Sequence, residues 1–426
     1  MSTEQSPASA ALDPLPSTPS MRWRIALPPL AIIWIVGMID KTGVGVIAAD
    51  DGFLSELHLK GEEGLIGFLT TATLLFYGAS MPVWGILIDK FGPKRCAVTG
   101  LVFWAISTTI AGLAPSYGIL LVGRALLGVS EGFLWPLSNA LTARWFPRSE
   151  RSRAKSLWIG AINLGFAVAA YVVNGAIAVT NWRGAFFLLT ILALVVCIPV
   201  ALVLLKDDPA KAKRVTDAER AFIAADSTNV KLSRDERRSQ LLSWPFFIMI
   251  IGWITNNIGV YGLASWFPSY LKSEQHVSKN TASAFVALAF VLCIAISPIV
   301  AVWMDRIGRK AIFSVCGFSL AALFLVLSQV IHSTDFELAA VIIAIVGIEG
   351  MTTLAGQGVL HSMAPERRMG RAAGVMIGVG NFVGAFGATV MGLFIDAGGY
   401  PAAFGFLIGT FIIGAACAFA LHRIRY

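Results

Sequence analysis

The chain has 426 residues, of which 56% are hydrophobic and 14% are charged, and its mean hydropathy is +0.74. Soluble domains contain about 45–50% apolar residues, so this composition excludes an ordinary soluble protein and indicates a polytopic membrane protein. The formal charge of +8 does not indicate a nucleic-acid partner, because the basic residues stand in short clusters between apolar segments, as is typical of cytoplasmic loops.

Apolar segments of about 20 residues, each long enough to cross a bilayer, predict an all-α membrane protein with twelve transmembrane helices. In chain order we expect these helices, numbered 1 to 12, at 25–49, 64–88, 96–114, 118–142, 153–179, 184–205, 244–271, 281–304, 310–331, 337–362, 370–395 and 400–422.

A long polar segment divides the helices six and six, which predicts two six-helix bundles, 22–205 and 241–426, joined by a cytoplasmic linker at 206–240. Within the linker, the segment around Thr216 to Ala225 forms either a short amphipathic helix or a solvated charged loop, and the sequence does not favour one over the other. Residues 1–21 are rich in Ser, Pro and Ala and lack the basic start of a signal peptide, so we expect a disordered cytoplasmic tail there.

The distribution of lysine and arginine predicts the orientation in the membrane. Most of the 33 basic residues fall on one side when the helices are threaded through a bilayer, and this is also the side of both chain ends. Since basic loops stay in the cytoplasm, we expect both termini there and a multi-pass protein of the plasma (inner) membrane.

The two halves repeat each other in sequence. Asp89 to Gly92, between helices 2 and 3, recurs as Asp305 to Gly308, and Glu131-Gly132 recurs as Glu349-Gly350 at nearly the same offset. Paired six-helix halves are typical of transporters that bind substrate at the midplane between them. Residues repeated in both halves are therefore expected to have structural or gating roles. Residues present in only one half are expected to bind the substrate or the proton.

Ionisable residues inside the apolar helices of the first half predict the substrate and proton site. Arg124 and Glu131 lie on one face of helix 4, about 10 Å apart along its axis, and Asp40 and Lys41 lie in helix 1. A charge near the bilayer midplane costs about 2.5–3.5 kcal/mol, so such residues usually mark a pathway. A purely structural ion pair is the alternative, and Lys41 can instead extend to the membrane surface.

Gly85 to Arg95 resembles the loop 2–3 signature of the major facilitator superfamily, a glycine, an aspartate four residues later, another glycine and then basic residues. In the second copy, Ala301 stands in place of the first glycine. The resemblance implies a cytoplasmic charge network, with Asp89 facing basic residues of loop 4–5 that include Arg148, and it implies conformational gating by these residues: Asp89, Arg95, Arg144, Arg153, Asp305 and Arg309.

Three segments resemble the anion:cation symporters within that superfamily: Asp40-Lys41, Arg124 to Glu131, and Trp145-Phe146-Pro147. Members of that family usually have aspartate followed by arginine in helix 1, and this chain has lysine at the second position. Lysine keeps the charge but lacks the planar fork of arginine. The resemblance implies proton-coupled symport of a small organic anion, a carboxylate or a sugar acid. The intramembrane acids themselves supply the candidate proton carriers, Asp40 and Glu131, and the repeat adds Glu349.

The second half offers mostly neutral polar groups, since Asp40 corresponds there to Asn257 and Arg124 to Ile342. We expect charge recognition in the first half and hydroxyl recognition in the second, with Glu349, Thr353 and Gln357 forming one stripe on helix 10. Glu349 is either a second proton carrier or a gating acid. The expected substrate contacts are Lys41, Arg124, Tyr77, Asn163, Trp253, Asn257, Tyr261, Thr353, Gln357 and Asn381. For each neutral residue in this set, packing between helices is the alternative role.

No motif for an enzyme, an ATP site or a metal site occurs in the sequence. The five cysteines lack metal-ligand spacing and are expected to pack in the core, and the five histidines show no ligand spacing either. We therefore expect no cofactor other than the proton gradient, no nucleic acid, and a monomer whose partners are the substrate, protons and the lipid bilayer. Open alternatives are an anion exchanger or uniporter, a carrier of a neutral or cationic solute, and a non-transporting sensor built on a transporter scaffold.

Overall fold

The computed structural model describes residues 21–48, 50–212, 214–225, 243–273, 279–331 and 333–424. These residues form helices joined by short turns, and the described part of the chain contains no strand. The predicted all-α fold is therefore confirmed. The expected tail, apart from its last residue, and much of the expected linker lie outside the described residues.

Helices 1 to 6 follow the predicted order, with two interruptions inside the helices. Helix 4 consists of two segments separated by a turn at Gly132 and Phe133, and helix 6 contains a π-helical turn at Leu192–Cys197. The bounds are Met21–Ile47, Glu63–Phe91, Pro93–Leu113, Tyr117–Glu131 with Leu134–Trp145, Arg151–Val179, and Trp182–Ile191 continuing to Ile198–Val203. A short helix that the hydropathy pattern does not predict, Asp51–Glu56, joins helices 1 and 2.

Helices 7 to 10 also match the prediction, except that helix 10 is π-helical in its middle, at Val346–Thr353. Their bounds are Trp244–Ser273, Lys279–Ile307, Ala311–Val330, and Thr334–Ile345 continuing through the π-helical segment to Leu354–Met363. The expected stripe of Glu349, Thr353 and Gln357 assumed an unbroken α-helix. That assumption was wrong, because a π-helix has more residues per turn and changes the face on which later side chains lie.

Eleven helices in the described residues are long and apolar enough to cross a membrane, but the last candidate runs over 58 residues, Glu366–Arg423. This is far longer than the roughly 20 residues that one crossing needs. The segment comprises Met369–Gly384 and Gly387–Arg423, and the second of these is broken at Gly398 and at Gly399, whose φ of 71° suits glycine. The break separates helix 11 from helix 12 and gives twelve crossings.

The two halves meet where helix 2 packs on helix 11 and helix 5 packs on helix 8. The backbones of helices 2 and 11 approach so closely that a Cβ atom on Gly85 would lie 2.3 Å from the carbonyl oxygen of Gly370. The contact lies at the end of the bundle that carries Asp89 and Asp305, called the basic end below. At this end the halves are closed on each other.

A linker helix, Asp217–Ala225, packs against the start of helix 1 at the basic end. Glu219 accepts hydrogen bonds from the backbone N–H groups of Met21 and Arg22 at 3.2 and 3.1 Å, and the Arg22 guanidinium bridges it to Glu150. Of the two expectations for this segment, the structure has the helix. The linker is thereby attached to the first half.

The cysteines depart from the expectation in one position. Cys96, Cys197 and Cys293 are buried and Cys417 is half-buried, but Cys316 is exposed on the outside of helix 9. In a membrane protein the outer surface is also apolar because it faces lipid, so a weakly polar cysteine is tolerated there.

Candidate functional site

Helices 1, 3 and 4 place a buried ion pair between Asp40 and Arg124. The Arg124 Nη1 atom lies 3.3 Å from Asp40 Oδ1, and the indole Nε1–H of Trp104 donates to Asp40 Oδ2 at 2.5 Å. The exposed fraction of Asp40 is 0% and that of Arg124 is 1%. Since the charges of both side chains are out of water, each depends on the other for its stability.

A second ion pair lies beside the first and joins the same two helices. Lys41 Nζ is 3.4 Å from Glu131 Oε2, and the same ammonium lies 3.5 Å from the centre of the Tyr77 ring, on helix 2. Lys41 therefore points into the bundle and does not extend to the membrane surface. We call Asp40, Lys41, Arg124 and Glu131 the ion-pair layer; its charges sum to zero when all four are ionised.

The ion-pair layer leaves hydrogen-bonding capacity unused. Within the described part of the chain, Arg124 Nε and Nη2 have no hydrogen-bond partner, and neither has Oε1 of Glu131. A buried guanidinium normally uses its donors, and unused donors cost free energy unless another group fills the space. The layer therefore offers unused donors to an acceptor such as a carboxylate, which an arginine can bind through two parallel N–H groups.

Four tryptophans follow the ion-pair layer on the side of the basic end, and we call Trp34, Trp135, Trp158 and Trp253 the tryptophan layer. Trp135 lies about one turn beyond Glu131 on helix 4. Its ring centre is 5.2 Å from that of Trp34, 5.4 Å from that of Trp158 and 6.1 Å from that of Trp253 in the other half. Together the rings form an apolar layer that spans both halves and lies between the ion-pair layer and the basic end.

The second half faces this region with neutral groups on helices 7, 10 and 11. The Tyr261 hydroxyl donates to Asn381 Oδ1 at 2.7 Å, and Asn257 Nδ2 donates to the Trp253 carbonyl oxygen at 2.9 Å. Asn256, which the sequence analysis did not single out, donates from Nδ2 to Thr353 Oγ1 at 2.9 Å. Most of these neutral polar groups are therefore used in hydrogen bonds within a helix or between helices of the second half.

Some predicted contact residues keep buried atoms without a partner among the described residues. These are Tyr77 Oη on helix 2, Asn163 Nδ2 on helix 5, Trp253 Nε1 on helix 7, and both amide atoms of Gln357 on helix 10. All four side chains are 5% exposed or less. Unused polar atoms of this kind, in both halves, indicate a place for a ligand.

Glu349 lies in the π-helical segment of helix 10, half-buried. Thr353 lies close enough to interact with its carboxyl group, and in the described residues no lysine or arginine forms an ion pair with it. It thus differs from Glu131, its counterpart in the repeat, which has Lys41 as partner. π-Helical turns inside α-helices are frequent at functional sites.

The two repeated aspartates cap helices of the opposite half at the basic end. Asp89 accepts hydrogen bonds from the backbone N–H groups of Gly370 and Arg371 at 3.1 and 2.9 Å, at the start of helix 11. Asp305 accepts from those of Ser152 and Arg153 at 3.2 and 3.1 Å, at the start of helix 5. A carboxylate at a helix N-terminus is stabilised by the unpaired N–H groups and the helix dipole, so each cap holds the halves together.

The basic residues expected in the gating network occupy different positions. Arg153 pairs with Asp305 at 3.4 Å, and Arg144 lies close enough to Asp89 to act on it electrostatically. Arg95 and Arg309 are exposed, and Arg95 lines a groove of about 570 Å³ on the outer face of helices 2 and 3.

Three residues of this region were not predicted as part of the site. They are Trp104, Asn256 and Lys155, of which Trp104 donates a hydrogen bond to Asp40. Lys155, the third residue of predicted helix 5, is fully buried, and its Nζ donates to the carbonyl oxygen of Gln357 in the other half. Its place two residues inside predicted helix 5 gave no signal of burial, because a lysine near a helix end usually extends to the membrane surface.

Comparison with protein families matches residues 30–296 and 258–426 to the model described as Major Facilitator Superfamily. The Phosphoglycerate transporter protein of Salmonella typhimurium is 26% identical over 394 residues, which cover 87% of this chain and 84% of that protein. The Probable sulfoacetate transporter SauU of Cupriavidus necator is 28% identical over 66% of this chain, and the match spans 64% of the relative's length. The Probable L-galactonate transporter of Escherichia coli is 24% identical, covering 66% of this chain and 62% of the relative.

Two solved structures share the fold. The human organic anion transporter MFSD10 matches with a TM-score of 0.70 and 14% identity, over 94% of this chain and 100% of that one. The proton:xylose symporter XylE also matches with a TM-score of 0.70, at 16% identity and over 95% of both chains.

Proposed function

Because this chain belongs to the Major Facilitator Superfamily, we propose that it is a secondary active transporter that carries a small organic anion together with protons. Members of this family are transporters and not enzymes, in agreement with the absence of an enzyme motif in the sequence. The named substrates of three relatives, sulfoacetate, phosphoglycerate and galactonate, are all organic anions and support this substrate class.

The observation that carries the proposal is the ion-pair layer with its unused Arg124 donors. Arg124 already holds Asp40 through Nη1 and keeps Nε and Nη2 free of any partner in the described residues. A carboxylate of the substrate fits these two donors as a bidentate acceptor. A neutral solute gains less there, because it cannot offset the buried positive charge.

Proton coupling follows from competition for the cations. With Asp40 and Glu131 both ionised, Arg124 and Lys41 are neutralised within the protein, and an added anion leaves the layer with an excess negative charge. A proton on Asp40 removes the partner of Arg124, and a proton on Glu131 removes the partner of Lys41. The anion is therefore bound most favourably together with a proton, because buried charge is tolerated only when it is compensated.

Alternating access supplies the remaining step. In the closed basic end, Asp89 caps helix 11 and Asp305 caps helix 5, so the anion reaches the ion-pair layer from the opposite side. Rocking of the halves breaks both caps and opens the tryptophan layer toward the basic end. Family transporters with two repeated halves move in this way around a central site.

The membrane orientation is part of the same proposal. We place the basic end and both termini in the cytoplasm and the chain in the plasma (inner) membrane, since basic loops are retained on that side. We propose the proton gradient as the only driving force, with no cofactor, and a monomer as the transporting unit.

Purified protein in proteoliposomes tests the proposal directly. We impose a pH gradient that is acidic outside, so that protons flow into the liposomes. We expect this gradient to drive accumulation of radiolabelled galactonate, sulfoacetate or phosphoglycerate inside, above its equilibrium level. Accumulation that persists after the proton gradient is collapsed, or that requires a counter-anion inside, would establish exchange and refute symport.

A thermal-shift screen at two pH values tests the substrate class independently. A ligand raises the apparent stability in proportion to RT ln(1 + [L]/Kd), which is about 2.7 kcal/mol at 100 times Kd. We expect stabilisation by carboxylates and sugar acids and not by galactose, the neutral counterpart of galactonate. Stabilisation by galactose alone would overturn the assignment of an anion.

A further inference from the structure

Lys155 is a fully buried cation that the proposed transport site does not use. Its exposed fraction is 0%, and it lies on the side of the tryptophan layer that faces the basic end, about one turn before Trp158 on helix 5. Its Nζ donates to the Gln357 carbonyl oxygen across the contact between the halves. In the described part of the chain it forms no ion pair with a carboxylate.

The groups around Lys155 do not neutralise it. Arg151, Lys310 and Asp305 act on it electrostatically, so the nearby charges comprise two further cations and one acid. His361 lies in the same region and shares a hydrogen bond of 2.9 Å with Asn139 of the first half. A buried ammonium held by a carbonyl group is poorly compensated, so an added anion is electrostatically favoured here.

Gln357 supplies a second and independent observation. Its side-chain Oε1 and Nε2 atoms have no hydrogen-bond partner among the described residues, and its exposed fraction is 0%. A buried amide that leaves a donor and an acceptor unused is rare and calls for a ligand. Its backbone carbonyl is the group that holds Lys155, so the unused amide belongs to the same place in the fold.

We propose that Lys155 and the Gln357 side-chain amide form a second binding point for the transported anion, used when the basic end is open. The inference rests on the proposed function. Opening separates helix 5 from helix 10 and breaks the bond between Lys155 and the Gln357 carbonyl. The ammonium then faces the opened path, and the anion that leaves Arg124 passes the tryptophan layer and meets Lys155 before release.

The chemistry of the pair suits an anion with a neighbouring hydroxyl. The Lys155 ammonium and the Gln357 Nε2–H donate to carboxylate, sulfonate or phosphate oxygens, and Gln357 Oε1 accepts from a hydroxyl group. In the closed state the same ammonium is occupied by the carbonyl group. The second binding point is thus available on one side of the membrane only.

Transport kinetics from the two sides test this inference. In vesicles of defined orientation, with galactonate, sulfoacetate and phosphoglycerate as probes, we expect Lys155→Met to raise KM from the basic-end side at least tenfold. KM from the opposite side should stay within twofold of wild type. Lys155→Arg should keep most of the affinity, and Gln357→Leu should give a smaller increase in KM, larger from the basic-end side than from the opposite side.

The outcomes separate the second binding point from other roles. Equal effects on both sides, or no effect on either side, in both Lys155→Met and Gln357→Leu, would overturn it. If Lys155→Met fails to fold, as judged by gel filtration, Gln357→Leu decides the question by itself. A wild-type protein that transports none of the three probes refutes the proposed function, and the second binding point falls with it.

Discussion

Replacement of Arg124 by alanine tests the central contact of the proposed site. The guanidinium has two donors without a partner in the described residues, Nε and Nη2, and hydrogen bonds to charged groups contribute about 1.5–3 kcal/mol each. Loss of two such bonds predicts a loss of about 3–6 kcal/mol in anion binding, which corresponds to a Kd raised by roughly 100-fold to more than 10,000-fold. Isothermal titration calorimetry with the anion found by thermal shift measures this change.

The same replacement also leaves Asp40 as an uncompensated buried carboxylate. Breaking a buried ion pair by removing one partner typically costs about 3–5 kcal/mol of stability. The double variant with Arg124→Ala and Asp40→Asn removes both charges, so it should unfold at a higher temperature than the single variant while still failing to bind. Arg124→Lys keeps the charge but not the fork and should bind with intermediate affinity.

Affinity of Arg124→Ala within threefold of wild type would refute the reasoning, because the anion would then be recognised elsewhere. Recovery of binding in the double variant would equally contradict it. That result would mean that the single variant lost affinity through the unpaired Asp40 and not through the missing donors.

Three further changes test the proton coupling, the closure of the basic end and the packing. Glu131→Gln should abolish uphill uptake and keep anion exchange, since the amide cannot carry a proton; normal accumulation in this variant would remove Glu131 from the coupling. Asp305→Asn should weaken the cap on helix 5 and increase labelling of a cysteine introduced at Ser152, whereas labelling equal to that of the parent protein would show that the cap does not hold the end closed. Gly128→Ala should lower the unfolding temperature, because the added Cβ atom would lie 2.2 Å from a carbonyl oxygen of helix 2. Gly118→Ala is the control and should leave the unfolding temperature unchanged, since no atom lies within 4 Å of its Cβ position. Equal stability of the two variants would contradict the packing argument.

The number, order and approximate bounds of the transmembrane helices were predictable from the sequence. Hydropathy depends on composition over about 20 residues, and a bilayer imposes the same length on every crossing. The repeated Asp89 and Asp305 motifs and the intramembrane charges of helices 1 and 4 were visible for the same reason, because a polar residue in an apolar segment stands out without any knowledge of its neighbours.

The pairing of the charges was decided only by the tertiary structure. Arg124 and Glu131 share a face of helix 4, yet Arg124 pairs with Asp40 and Glu131 with Lys41, since ion pairs depend on how helices 1 and 4 pack. The helix caps of Asp89 and Asp305, the π-helical middle of helix 10 and the burial of Lys155 likewise depend on contacts between residues far apart in the chain. Sequence alone placed the charges of helices 1 and 4 inside apolar segments, and packing determined which partner each of them meets.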